Sequence, residues 1–533
     1  MTNDKIVDVL KLIAQLLELH DANPFKIRSL LNACFKIDKL TIDIVGVPQA
    51  ELSLMDGIGK SLASKIVEIV ESGTTSELQQ LSANTPLGVI EMLGLKGIGP
   101  KKVQALWREL NVESLGELMY ACNENRLVEL KGFGLKTQDQ IRKSIEFKMA
   151  SAGKVHYASA EKCALDLIDF IRQKYAPKYI SFVGALRRKC EVIEKIEILV
   201  SAAAIHTEEF LNTSNVPIQI YSTTEADFCL RLFQLTGSEA HVQYIQLSDG
   251  QKFESEIEIY NSKGYQFIPP ELREDVRVFD TARNQAIPEL IEMENLKGVL
   301  HNHSTYSDGN NTLREMALAA NASGYEYLGI CDHSQSAFYA GGLKAEKIIA
   351  QHEEIDALNS ELFPFKIFKG IESDILNDGS LDYPEEILKS FDFIVASVHS
   401  NLKMDKEKAT SRLIKAIENP YTTILGHPTG RLLLSRAAYP IDHEMVIDAC
   451  ADNGVIMELN AHPYRLDIDW RWIEYCLKKN VKISINPDAH SVDGYKDMYY
   501  GVCVARKGML SPNMCFNTMT VVEMQDYFLS RKA

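Results

Sequence analysis

The 533-residue chain has no apolar run near the roughly 20 residues that a membrane span needs. Its richest stretch, Ile196 to Ile205, is interrupted by Glu197. The first residues, MTNDKIVDVLKLIAQLLELH, lack a basic start, an unbroken apolar segment and a small-residue cleavage site. Nothing there points to export, and the segment reads as an amphipathic helix. Ten cysteines are scattered without a CxxC pair. That spacing excludes a disulfide framework and fits reduced, buried thiols in a cytoplasm. Low-complexity sequence is missing too. Positive charge is scarce, since the net charge is −16, which counts against nucleic-acid binding by bulk electrostatics. The shortage is local, however. Residues 1–150 hold 18 Lys and Arg against 19 Asp and Glu, so the remainder carries −15. An acidic C-terminal part can be solvated surface or carboxylates gathered around metal.

What is present is an ordinary globular mixture, 46% apolar and 24% charged. At about 150 residues per domain, the length suggests three or four domains. Residues 1–150 read as helices joined by short turns. Three segments repeat one pattern: LMDGIGKSLASKIVEIV (54–70), LGLKGIGPKKVQALWREL (93–110) and LVELKGFGLKTQDQIRKSI (127–145). In each, a Gly-x-Gly turn opens a helix with apolar spacing of three and four. The pairs are Gly57 and Gly59, Gly97 and Gly99, and Gly132 and Gly134. Such glycines let the backbone approach a ligand closely, and the helix start offers free N–H groups to a phosphate. This helix-hairpin-helix element grips a DNA backbone without reading bases. Lys60, Lys101, Lys102 and Lys136 follow the turns, placed to pair with phosphates. For one such turn, a simple cap-and-restart is the blander reading; three of them favour DNA.

Residues 151–265 alternate differently. YISFVGALRR, KIEILVSA, VPIQIYS and HVQYIQLS read as strands, with helices over 158–174 and 205–213. FIPPELREDVRVF (267–279) reads as a linker or domain edge. From about residue 295 the rhythm is strand, loop, helix, repeated. KGVLHNH, EYLGICDH, FKIFKGIE, FIVASVH, TTILGHP, VIMELNA and VKISINPDAH are seven short apolar runs, which predict a parallel sheet closing into a barrel.

The chemistry-bearing residues sit where those runs end. They are His301, His303, Asp308, His333, Glu372, His399, His427, Asp488 and His490. In a parallel barrel, strand-end residues share one face and one pocket. Imidazole and carboxylate together suit zinc, manganese or iron rather than magnesium or calcium alone. His352 and His443 fall inside helical segments and read as structural. ELNAHPYRLD adds Asn460 and Arg465 near the same rim, where Arg465 could clamp a phosphate or make an ordinary ion pair.

Two resemblances follow from these motifs. LLELHDANPFKIRSLLNA, the three Gly-x-Gly repeats, FVGALRRKCEVIEKIEILV and LTGSEAH resemble family-X DNA polymerases from residue 1 onward. In that family, two aspartates flanking one residue hold the catalytic magnesium ions, and a third lies on the next strand. Here those positions are Lys195, Glu197 and, by nearest match, Gln219. Ala185 replaces the family's serine, and Gln234 and Leu235 replace the aromatic pair before the Thr-Gly-Ser turn. A lysine brings positive charge where two cations must bind. Polymerase activity is therefore expected to be absent, the module surviving as a DNA-binding platform. Lys65 lies near the family's Schiff-base lysine, leaving residual lyase chemistry as an alternative to a surface lysine.

The strand-end set resembles the PHP (polymerase and histidinol phosphatase) family over the whole last part. That resemblance implies a distorted (β/α)7 TIM-like barrel holding three divalent ions, manganese first, zinc or iron next. One ion would lie on His301, His303, Glu372 and Asp488; a second on Glu372, His399 and His427; a third on Asp308, His333 and His490. Glu372 would bridge, and Glu372 and Arg465 would act at the reacting phosphate. The expected architecture is a small helical domain (1–85), a helical fingers-like domain (86–150), a degenerate palm and thumb (151–285) and the PHP barrel (295–533). The expected function is a cytoplasmic 3′–5′ exonuclease acting in repair on single-stranded 3′ ends or on gapped or damaged duplex. A histidinol-phosphatase-type enzyme, an active polymerase and a non-enzymatic DNA scaffold are the competing readings. Oligomeric state is left open.

Overall fold

The computed structural model describes residues 3–37, 40, 42–95, 97–150, 153–202, 205, 216–247 and 251–532. Apart from its first residue, the helix expected over 205–213 lies outside them. The chain divides into two compact units, Met1–Phe147 and Lys148–Ala533.

The first unit is helical. Amphipathic helices Asn3–Leu19 and Pro24–Ile37 bury Leu10, Ile13, Leu30 and Cys34. The three repeats form the expected turns. Gly57, Gly97 and Gly132 have φ of 83°, 93° and 90°, a left-handed backbone that glycine adopts at no steric cost. Gly59 and Gly99 then cap helices Lys60–Ser72 and Pro100–Glu109 with extended backbone and no side chain of their own.

The second unit contains two sheet systems. Strands β1 (Val155–His156), β2 (Ile180–Phe182), β3 (Val192–Ile193), β4 (Ile196–Val200) and β5 (Ile218–Ser222) accompany helix Tyr157–Tyr175. β2 runs antiparallel to β4, and β4 parallel to β5. HVQYIQLS is not a strand. Ser238 accepts a hydrogen bond from the His241 N–H and caps helix Glu239–Ile245. Nor is 267–279 a linker: Ile268, Leu272, Val278 and Phe279 are core residues. Arg273, fully buried, bonds Glu256 and the Ile268 carbonyl beneath the rings of Tyr260 and Phe267.

The barrel strands are β6 (Gly298–Val299), β7 (Tyr327–Ile330), β8 (Lys366–Asp374), β9 (Phe393–Ser397), β10 (Ile424–Leu425), β11 (Ile456–Asn460) and β12 (Ile483–Asn486). They pair in chain order, all parallel. A parallel bridge between Asn302 and Ala489, with the His303 N–H on the Ala489 carbonyl at 2.9 Å, nearly closes the ring. Gly329 and Gly370 leave room for Phe393 inside, where a Cβ would come within 2.6 Å of its ring. Phe393 stacks on Phe528 of the last helix, Val521–Lys532, at 5.1 Å. The interior is therefore filled with side chains, and the polar residues gather at the strand tips.

Palm-like part and barrel are joined by paired charges. Lys189 donates to Tyr157 and to Tyr499 and lies between their rings at 5.1 and 5.0 Å. Lys507 donates to Glu274 at 2.6 Å, and Arg506 to Glu271 at 2.8 Å.

Candidate metal centre

The structure brings all nine strand-end residues together. His301 and His303 follow β6, Asp308 lies in the next loop, His333 follows β7, and Glu372 is near the end of β8. His399 follows β9, His427 follows β10, and Asp488 and His490 follow β12. Glu372, fully buried, lies at the centre. Its Oε1 is 3.0 Å from His427 Nε2, 3.1 Å from His399 Nε2 and 3.2 Å from His301 Nε2. Its Oε2 is 2.9 Å from His333 Nδ1 and 3.7 Å from His303 Nε2. Asp308 lies 3.3 Å from His490 and 3.6 Å from His333, and Asp488 3.1 Å from His303.

Among the described barrel residues taken by themselves, donor atoms within 4.8 Å of one another form four overlapping groups. His303, Asp308, His333 and His490 make one; His301, His303 and Glu372 a second; His333, Glu372 and His399 a third; His301, His427 and Asp488 a fourth. Relative to the expected division, His303 also joins the Asp308 group, and His427 falls with His301 and Asp488. These groups fit divalent cations. His301 Nε2, both ring nitrogens of His333 and Glu372 Oε2 are buried and form no hydrogen bond, although carboxylate and imidazole atoms converge on them. Buried polar atoms left so are costly unless something else satisfies them. Three of the nine, His301, His427 and Asp488, hold left-handed backbone at φ 58°, 22° and 52°. Such strain concentrates at functional sites.

Charge is arranged to suit ligation. Burial would raise the Glu372 carboxyl, but His399, His301 and His333 outweigh it and hold it well below its ordinary value. Asp488 is likewise held low, against burial, by His301 and His303. Burial, with His490 and His333 beside it, lowers His303 to about 3, so its imidazole is neutral and can ligate. His399 is the exception: Glu372 and Asp374 outweigh its burial and push it up to about 10, so a cation there would have to displace its proton.

Two supporting residues, Glu458 and Asp374, were not singled out from the sequence, whereas Asp332 stands at the end of the GICDH run. Glu458, fully buried, accepts from His301 Nδ1 at 2.7 Å, from Asn486 Nδ2 at 2.8 Å and from the His427 N–H at 2.5 Å. Asp374 accepts from His399 Nδ1 at 2.6 Å. Asp332 collects the N–H and hydroxyl of Ser304 and the amide of Gln351, shaping the loop that carries Asp308. A signal existed: Glu458 is two residues before Asn460 and Asp374 two after Glu372, so each shares a strand face with a residue already singled out. Arg465 is buried, its Nε 3.7 Å from Asp488 Oδ2, and Asn460 Nδ2 donates to the same oxygen at 3.0 Å.

The other candidate sites differ in character. Lys60, Lys101 and Lys136 are exposed beside their turns, whereas Lys102 lies 5.3 Å over the Phe133 ring. Lys65 is paired with Glu77 at 2.5 Å, and Glu77 also holds Lys26. In the palm-like part, Lys195 Nζ lies 2.8 Å from Glu197 Oε1, and Tyr221 donates to the same oxygen at 2.8 Å. Gln219 sits opposite Glu197 in the β4–β5 register. Glu197 Oε2 also fills the space where a side chain on Gly184 would start. Arg187 is held by Glu256 and Thr236, and Arg188 by Glu274 and the Thr236 carbonyl.

Comparison with known proteins agrees with this geometry. Residues 1–75 match a helix-hairpin-helix domain, 89–146 a SAM-like helix-hairpin-helix tandem, and 300–462 a PHP domain. The chain is 32% identical to the DNA polymerase/3′-5′ exonuclease PolX of Bacillus subtilis, over 99% of both chains. A probable phosphatase of Acetivibrio thermocellus is 31% identical over 37% of this chain and 80% of its own length. The solved histidinol phosphate phosphatase of Lactococcus lactis, complexed with zinc, L-histidinol and phosphate, is 18% identical with a TM-score of 0.33, over 40% of this chain and 93% of its own. A PHP domain is a metal-dependent phosphoesterase module, and helix-hairpin-helix domains are a type that suggests DNA binding. The chain therefore belongs to the bacterial family-X DNA polymerases that carry helix-hairpin-helix domains and a C-terminal PHP barrel.

Proposed function

We propose that the chain is a metal-dependent 3′–5′ exonuclease of DNA repair, with a polymerase-like module that no longer polymerises and serves as a DNA-binding platform. The observation that carries this is a contrast between two cages. At the barrel tips, eight imidazole and carboxyl side chains converge around Glu372. In the palm, Lys195 neutralises Glu197 from within, Gln219 stands where a third carboxylate would be needed, and both arginines of the turn are committed to glutamates, Glu256 and the half-buried Glu274. Two-metal phosphoryl transfer needs carboxylates to hold both cations, and a lysine ammonium opposes that.

His301, His303, Glu372 and Asp488, Glu372 with His399 and His427, and Asp308 with His333 and His490 would hold three divalent ions, manganese foremost. When bound, such ions lower the pKa of a water and neutralise phosphate charge. The protein's own residues do the rest. Glu458 and Asp374 fix the tautomer and ring plane of His301 and His399. Arg465, beside Asp488, presents its planar fork to a phosphate oxygen. Lys60, Lys101 and Lys136 and the three glycine turns hold the strand by its phosphates.

The test uses purified protein, Mn²⁺ and end-labelled single-stranded DNA. Stepwise shortening from the 3′ end, lost in His303→Ala, is the expected result, with no primer extension from dNTPs. Rapid turnover of histidinol phosphate with inert DNA would replace this reading with the small-molecule phosphatase.

A further inference from the structure

We propose that Phe338 is the nucleobase-stacking residue of the barrel site, fixing the terminal base of a single-stranded 3′ end so that its phosphodiester meets the metal cage. The proposal rests on the nuclease reading and adds the residue that makes the site selective for nucleic acid. Phe338 lies five residues after His333, in the loop from the β7 tip, and its ring is 79% exposed. Phe363, the other strongly exposed phenylalanine among the described barrel residues, precedes β8 and so lies at the opposite end. Phe338 thus sits on the face where strand-tip loops surround the cage.

The loop is anchored to the cage on both sides. Its ends are tied by a Ser334–Leu343 bridge and by the Leu343 N–H on the His333 carbonyl at 2.8 Å. Ser336 donates its N–H to Asp382 at 2.7 Å and its hydroxyl to Asp374, the partner of His399, at 3.0 Å. Across the loop, Gly341 lies over Ser307, the neighbour of Asp308, and Lys347 staples Gly341 to the Tyr306 carbonyl. An aromatic ring displayed from a fixed loop loses little entropy on binding. Every base has a π face, so stacking holds a terminal nucleotide whatever its identity, as an exonuclease requires.

The experiment compares wild type, Phe338→Ala and Phe338→Trp with Mn²⁺ on two single-stranded oligonucleotides. One ends in an ordinary 3′ nucleotide, the other in a baseless 3′ residue. Phe338→Ala should raise KM about tenfold on the ordinary end, leave the baseless end unchanged, and be rescued by Phe338→Trp. Equal loss on both ends would overturn the proposal, as would no loss on either. A wild type that shortens neither oligonucleotide but hydrolyses a small phosphomonoester would instead remove the nuclease reading beneath it.

Discussion

At the scale of single residues, the barrel site depends as much on the carboxylates behind the cage as on those in it. Glu458 ties three strand tips together by accepting from His301, from Asn486 and from the backbone of His427. Glu458→Gln keeps the shape but weakens the hold on the imidazole. Metal affinity of the apoprotein should fall about 10- to 100-fold, read by titration with Mn²⁺, while DNA binding stays intact. The nine ligand positions were legible in sequence because each apolar strand ends abruptly in an imidazole or carboxyl group. Glu458 and Asp374 were not: Glu458 sits inside β11 and Asp374 closes β8 two residues past Glu372, so only the two-residue periodicity shared with Asn460 and Glu372 marks their side. HVQYIQLS misled for a related reason: over eight residues its spacing satisfies both strand and helix, and the Ser238 cap decides.

At the scale of elements, the thumb-like segment is held by buried charge. Arg273 is fully buried with Glu256 as its carboxylate partner. Arg273→Ala takes away one of the two guanidinium groups on that carboxylate, leaving Arg187, and should cost about 3 kcal/mol, the lower end for breaking a buried pair, measured by urea unfolding of the whole chain. The sequence hid this packing, since two prolines and a run of charges over 267–279 have the composition of a linker. Glu274 adds a pH dependence. Its burial would raise the carboxyl, but Lys507 and Arg188 outweigh it and hold it at about 2, below the ordinary 4.5. A carboxyl lowered by folding stabilises fully above 4.5 and loses that contribution as pH falls towards about 2. The urea midpoint should therefore drop across that window, and drop less in Glu274→Gln.

At the scale of the whole molecule, three exposed lysines beside the glycine turns give an acidic chain a local surface suited to a polyanion. Lys60, Lys101 and Lys136 are exposed beside three glycine turns in a unit that is almost neutral overall. Replacing all three with alanine should weaken DNA binding for every sequence and reduce the slope of log K against log salt by about three. The same change should leave hydrolysis of a small phosphomonoester untouched.

The Lys195–Glu197 pair has one more consequence. A carboxylate that carries its own counter-ion needs nothing from solution, so EDTA should divide the chain into halves that behave differently. Melting of the barrel, and of the palm-like part tied to it, should shift downward as the ions leave, while the helical unit Met1–Phe147 keeps its fold and the Lys195–Glu197 pair is indifferent to the chelator.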